Sequence, residues 1–231
     1  MRSRLFLTKI TTHKFAAWLF VLAFVAGPLA TAGTPPPSAK VPVEGVDYHL
    51  LAKPIATDSG NKIEVLEMFN FACIHCHDFA PKLAAWKQSQ PPDVALRFEA
   101  APYNPFFVQM ARAYYAAKLL GKDEGTHEAI FRDVHDTHTI KPGDEETIVS
   151  AYASLGIDSG RFRAMYHSAL VDEQLQKAKA ILVDSDVGGV PALIVAGRYR
   201  IDAGPSVPFE SMLATASYLI QLERSRRAAA H

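Results

Sequence analysis

The chain has 231 residues, with 24 Lys and Arg against 24 Asp and Glu, so it carries no formal net charge and lacks the basic balance that nucleic-acid binding needs. Its apolar content of 49% suits one large domain or a domain with an insertion.

The first residues read as an export signal. Arg2, Arg4, Lys9 and Lys14 make a basic stretch without an acid, an apolar run follows from Phe15 to Ala26, and Ala30-Thr31-Ala32 supplies small residues for cleavage. A signal peptide over 1–32 is expected, with the mature chain starting near Gly33. An uncleaved anchor helix is the alternative, but the apolar run is short of the ~20 residues a span needs. No cysteine opens the mature chain, so no lipid anchor is expected there. Export places the cysteines where disulfides persist. Loss of the basic signal residues leaves the mature part mildly acidic. Residues 33–42, containing Thr34-Pro35-Pro36-Pro37-Ser38, read as a flexible lead-in.

Val46 to Ala52 reads as a short edge strand, and Lys62 to Phe71 as the strongest strand of the chain. Ile63, Val65, Phe69 and Phe71 share one face by alternation, with Leu66 and Met68 on the other. A strand apolar on both faces belongs in the middle of a covered sheet. A helix from about Cys73 to Gln88, a turn at Pro91-Pro92 and a strand from Val94 to Ala100 complete a β-α-β unit. The pattern then turns helical: Phe106, Met110, Tyr114, Ala117 and Leu120 recur at helical spacing, and Thr126–Asp136, Asp144–Leu155 and Ser159–Leu170 follow, with glycines between them. A longer helix carries Val171, Leu175, Ala178, Ile181 and Leu182 on one face. Gly188-Gly189 ends it. Val190 to Val195 and Tyr199 to Ile201 form a hairpin across Ala196-Gly197. A last amphipathic helix carries Phe209, Met212, Leu213, Ala216, Leu219 and Ile220, and 224–231 reads as a fraying, disordered tail. The order is that of an α/β domain, 43–104 and 171–223, split by a helical block over 105–170.

The chain's only two cysteines, Cys73 and Cys76, stand three positions apart at the head of the first long helix. A bridge closing so short a loop contributes only about 2 kcal/mol, against about 4.7 kcal/mol for one closing a hundred residues, so the pair points to chemistry more than to stability. Redox exchange, metal binding and haem attachment are all open to such a pair. At a helix start, Cys73 faces unpaired N–H groups and the positive end of the helix dipole, which favour its thiolate. His75 adds charge in the same sense. Cys76, one turn inward, stays protonated until it attacks a mixed disulfide. Were the Cys73 pKa about 3.5 instead of about 7, the reduced form would gain roughly 4 kcal/mol at pH 7, about 90 mV in a two-electron couple. Glu67 falls on the face of Val65 and Phe69, where burial would raise its pKa and let it pass protons to or from Cys76. His77, Asp78, His127, His135, His138 and His167 read as ordinary surface or helix residues. No metal spacing stands out beyond a weak His135-Asp136-Thr137-His138, and no cofactor is expected.

Phe71-Ala72-Cys73-Ile74-His75-Cys76 after a buried strand, Pro81 in the following helix, and Gly188-Gly189-Val190-Pro191-Ala192 before a hairpin together resemble the thioredoxin superfamily. Within it, they resemble exported thiol:disulfide oxidoreductases of the DsbA type. The resemblance spans nearly the whole mature chain. It implies a thioredoxin-like fold with an inserted all-helical domain, a cis Pro191 facing the disulfide, and Val190 and Pro191 presenting backbone to an extended substrate segment. Glu67 matches the family's buried acid. The implied activity is disulfide formation in reduced, unfolded exported proteins of the periplasm, by a monomer that a membrane quinone-linked partner of the DsbB type reoxidises. Two positions depart from the pattern. Ile74 stands where the best-known DsbA proteins have proline, and the basic partner of the buried acid has no clear counterpart, leaving Arg97 or Glu99 to fall there.

Three other readings compete. Cys73-Ile74-His75-Cys76-His77 also satisfies the attachment motif of c-type haem, with His77 as axial ligand and Met110, Met165 or Met212 as a second. A periplasmic disulfide reductase or isomerase would keep the fold and reverse the direction. A copper or zinc chaperone would use Cys73, Cys76 and a histidine.

Overall fold

The computed structural model describes residues 41–205 and 207–229. The expected signal peptide, and the lead-in up to residue 40, lie outside the described residues. β1 (His49–Leu50), β2 (Ile63–Phe69), α1 (Ile74–Gln88) and β3 (Val94–Ala100) come first in the chain. They are followed by α2 (Pro105–Leu119), α3 (Asp123–His135), α4 (Glu145–Ser154), α5 (Ser159–Tyr166) and α6 (Ala169–Ser185). β4 (Ala192–Val195), β5 (Tyr199–Asp202) and α7 (Phe209–Ala228) complete the order. The strands form one sheet in the order β1-β5-β4-β2-β3, in which β2 runs parallel to β3 and antiparallel to β4.

β2 lies inside the sheet, and all seven of its residues are buried, as its two apolar faces require. Ile63 and Val65 pack with Phe79 and Leu83 of α1 and with Met212, Ala216 and Ile220 of α7. Leu66 and Met68 face the other way, against Ile194, Val187 and the Ile181–Leu182 end of α6. Phe69 and Phe71 reach into a further cluster built from α2 to α6, where Tyr152 stacks on Phe162 at 4.3 Å. Four of the five helices α2 to α6 begin at side-chain caps: Asn104, Asp144, Asp158 and Ser168 each accept a backbone N–H of the first turn. Pro105 at the first position of α2 needs no N–H partner.

The β4–β5 hairpin turns on Ala196 and Gly197, both at positive φ (53° and 64°), the geometry that matches strand twist. A Cβ on Gly197 would lie 2.3 Å from the Ile55 carbonyl oxygen, so glycine is required there.

Several boundaries differ from expectation: β2 is Ile63–Phe69, α3 starts at Asp123, α5 ends at Tyr166 and β4 starts at Ala192, and the largest differences are at the two ends. β1 covers only His49–Leu50 of the expected 46–52, because Val46 and Asp47 both donate to the Val43 carbonyl in a turn through Gly45. The expected tail at 224–231 is helical through Ala228. Its basic residues find partners: Arg224 makes two 2.8 Å bonds to the Asp93 carboxylate, and Arg227 donates to the Asn61 carbonyl at 2.8 Å. Arg226 and Arg227 also enclose the buried Glu223.

Candidate redox site

Cys73 is the N-cap of α1. Its extended backbone (φ −98°, ψ 114°) lets its sulfur accept the Cys76 N–H at 3.4 Å, and no acid stands in the first turn to oppose a negative charge. Both cysteines are free thiols, and both are buried, Cys73 at 9% exposure and Cys76 at zero. The Cys73 sulfur also lies 3.4 Å from the carbonyl oxygen of Val190, 117 residues away, to which its thiol donates. The Val190–Pro191 peptide is cis.

The two sulfurs are driven apart chemically. The hydrogen bond from the Cys76 thiol, then the backbone N–H groups of Cys76 and His75 and the charge of His75, hold the Cys73 thiol down to about 6 against the opposing effect of burial. Burial pushes Cys76 well above the ordinary thiol range, and its bond to Cys73 and the nearby Glu67 carboxyl add to this. Titrated by the ultraviolet absorbance of the thiolate, the reduced protein is expected to show one ionisation near pH 6, with no second until far higher pH. A single step near the ordinary value of 9.0 would contradict the asymmetry.

Glu67 points inward. It is 1% exposed, burial raises its pKa well above the carboxyl range with a further push from Cys73, and its Oε1 has no hydrogen-bond partner. The expected basic neighbour is not supplied by β3. In the β2–β3 register Glu67 lies opposite Phe98, while Arg97 and Glu99 fall opposite Leu66 and Met68 on the other face. There Arg97 pairs with Glu64 at 2.9 Å and with Glu99 at 2.7 Å, and Tyr115 donates to Glu99 at 2.6 Å. Period-two alternation alone separates these groups from Glu67.

His75 and Ile74 are exposed beside the pair. His77 does not stand free as an axial ligand would: its ring nitrogens lie 3.2 Å from Asp78 and 3.4 Å from Asp136. Among the described residues no group of three or more His, Cys, Asp or Glu side chains is arranged to hold a metal ion. Pro81 lies inside α1, as its spacing implied.

Three polar residues were missed as participants. Asn70, fully buried, accepts the Ala72 N–H on Oδ1 at 2.9 Å and donates from Nδ2 to the carbonyls of Ala101 (2.9 Å) and Phe107 (3.0 Å). His135, read as ordinary, has Nε2 2.7 Å from the Phe71 carbonyl oxygen; burial lowers its pKa, and the neutral ring donates that bond. His127, also read as ordinary, is packed among Phe69, Phe71, Phe98 and Phe131 at centroid distances of 4.7 to 5.2 Å. The only advance signal was local: Asn70 directly follows the buried strand and stands three positions before Cys73.

Compared with known proteins, residues 64–214 match the family model of the DSBA-like thioredoxin domain. The chain belongs to the DsbA family. The thiol:disulfide interchange protein DsbA of Azotobacter vinelandii is 33% identical over 181 residues, covering 78% of this chain and 84% of that one. DsbA of Pseudomonas aeruginosa is 31% identical over 181 residues, covering 78% and 85%. The crystal structure of the oxidoreductase DsbA from Xylella fastidiosa superposes with a TM-score of 0.75 at 31% identity, covering 80% of this chain and 99% of that chain. This DsbA-family chain therefore has the α/β, thioredoxin-like fold and is a disulfide-forming thiol:disulfide oxidoreductase.

Proposed function

We propose that Cys73 is the attacked sulfur and Cys76 the resolving one of a periplasmic dithiol oxidase that acts on reduced, unfolded exported proteins. The asymmetry of the two sulfurs carries this reading: one caps a helix start and ionises near pH 6, the other is fully buried and held protonated. A substrate thiolate attacks the Cys73 sulfur of the oxidised pair, the Cys73–Cys76 bond breaks, and its electron pair leaves on Cys76. Cys76 then takes a proton, and the Glu67 carboxyl, kept neutral by burial, is the store within electrostatic reach. A second substrate thiolate attacks the substrate sulfur of the mixed disulfide and releases Cys73 as a thiolate stabilised by the Cys76 N–H and the charge of His75. The substrate gains its disulfide, two electrons rest on the pair, one of the two substrate protons restores the one that Glu67 gave to Cys76, and the other goes to water. A membrane quinone-linked partner of the DsbB type takes the two electrons back.

Val190 and Pro191 form the substrate-facing edge in this reading. The Val190 carbonyl beside the Cys73 sulfur is a main-chain acceptor for an extended segment lying across the pair, the strand-addition mode that suits many unfolded partners. The working form is a monomer that exports itself through a cleaved signal at 1–32. It has thioredoxin-like parts at 43–104 and 171–223 around an inserted helical domain at 105–170, a division supported by the run of α2 to α5 between β3 and β4.

Equilibration with glutathione buffers tests the direction. At pH 7, a Cys73 pKa near 6 in place of about 7 adds about 1 kcal/mol to the reduced form, about 20 mV. A potential well above about −270 mV and toward about −120 mV is expected, and its excess over that shift measures how far the disulfide form is destabilised elsewhere. A value near about −270 mV would instead make the chain a reductase-like member of its family.

A further inference from the structure

We propose that Asn70 is a positioning residue that sets the redox poise of the Cys73–Cys76 pair, by fixing the turn that holds Cys73 at the start of α1. The inference rests on the redox reading of the pair and assigns the poise to a residue outside it. Asn70 meets the site through main chain and side chain together. Its carbonyl accepts the Cys73 N–H at 3.0 Å, and its Oδ1 accepts the Ala72 N–H at 2.9 Å, so two successive N–H groups of the loop are tied to one residue. Such an Asx turn fixes the direction in which the chain enters the helix. The Asn70 backbone also counters the upward push on Cys76, so the residue meets the main chain of Cys73 and lies beside the Cys76 sulfur.

The other end of the amide anchors this turn to the body of the protein. Nδ2 donates to the Ala101 carbonyl at 2.9 Å and to the Phe107 carbonyl at 3.0 Å, on either side of the start of α2. Tyr103, within the same β3–α2 segment, donates through its hydroxyl to the Val187 carbonyl at 3.1 Å, in the loop that leads to Val190. One buried amide and one hydroxyl thus link the cysteine loop, the β3–α2 loop and the loop that carries Val190. The contacts made by the Cys73 sulfur, with the Cys76 N–H and with the Val190 oxygen, both stand at 3.4 Å, well within hydrogen-bond range for sulfur. Both are made from the cap position that the Asn70 turn holds. Both polar atoms of the Asn70 side chain are engaged and the residue is fully buried, so alanine removes its three side-chain bonds without adding bulk.

The test compares wild type, Asn70→Ala and Asn104→Ala in glutathione buffers across pH. Asn104 caps α2 through Phe107 N–H, so its alanine variant weakens the same segment by the ordinary cost of a lost cap without touching the cysteine loop. If Asn70→Ala lets Cys73 return from about 6 toward its ordinary 9.0, the equilibrium constant for reduction by glutathione falls about tenfold at pH 7, equivalent to about 30 mV. Wild type and Asn70→Ala should coincide near about pH 5, where Cys73 is a thiol in both, and diverge above about pH 6. Asn104→Ala should follow wild type throughout. An Asn70→Ala curve that tracks wild type at every pH, or that is offset equally at all pH values, overturns the proposal. A wild-type pair that does not exchange with glutathione overturns the redox reading itself. Should Asn70→Ala not fold, amide exchange in the reduced wild type decides. Ala72 N–H protected like the amides of β2 upholds the turn, and exchange at the rate of an open loop overturns it.

Discussion

The Cys73→Ser variant is expected to lose dithiol oxidation down to the uncatalysed background and to form no adduct with glutathione disulfide, whereas Cys76→Ser should lose oxidation but accumulate a stable adduct on Cys73. Both variants lack the internal disulfide, so neither can accept two electrons. They differ in which sulfur remains. Cys73 is a thiolate at neutral pH and attacks glutathione disulfide, releasing one glutathione thiolate, and without Cys76 nothing resolves the product. The sulfur left in Cys73→Ser is fully buried and pushed well above the ordinary thiol range, so it is both protonated and out of reach. Mass spectrometry of the two variants after incubation with glutathione disulfide reads the outcome directly. An adduct on Cys76 in Cys73→Ser, formed as fast as the one on Cys73 in Cys76→Ser, would reverse the assigned roles.

Acid should destabilise the fold through His127. Burial among aromatic rings lowers its pKa to about 4 from the ordinary 6.5, and its Nε2 has no partner. Between those two values the unfolded chain binds a proton that the folded chain refuses, so stability falls as pH falls through this window and the loss is complete below the folded pKa. The imidazole is expected to cost about 3 kcal/mol of stability on going from pH 7 to about pH 4. His127→Phe, which extends the ring set of Phe69, Phe71, Phe98 and Phe131, should remove that component while leaving the contribution of carboxylates in place. Urea midpoints of the two proteins at both pH values give the difference in slope. Equal acid sensitivity in the two would mean that His127 is protonated within the fold.

What the sequence disclosed and what it withheld follow one rule. Features set by local pattern were legible: β2 from its two apolar faces, the β-α-β unit that follows, the Ala196-Gly197 hairpin, and the burial of Glu67 from simple alternation. Polar residues whose surroundings are assembled from distant segments were not. His127 sits on a helix with exposed neighbours such as Glu124 and Glu128, yet its ring is enclosed by side chains of β2, β3 and the loop after β2. His135 and Asn70 bond to backbone carbonyls that lie 64 and 31 to 37 residues away, and no pattern at either end announces a carbonyl in need of a donor. The C-terminal helix was cut short for the same reason, since Arg224 and Arg227 read as solvated until Asp93 and Asn61 are placed beside them. The basic neighbour sought for Glu67 failed differently: alternation along β3 already assigned Arg97 to the opposite face.

The topology also dictates when this enzyme can become one. Cys73 stands at the head of α1, but the Val190 oxygen beside it arrives 117 residues later, after the whole run of α2 to α6. The strand that follows Val190 pairs with β2, a contact of long sequence separation that forms late because its loop-closure cost precedes its reward. A nascent chain therefore displays its two thiols well before the Val190 carbonyl stands beside them. Until β4 docks, Cys73 and Cys76 are simply two cysteines awaiting oxidation, and the catalyst passes through the condition of a dithiol substrate on the way to becoming active.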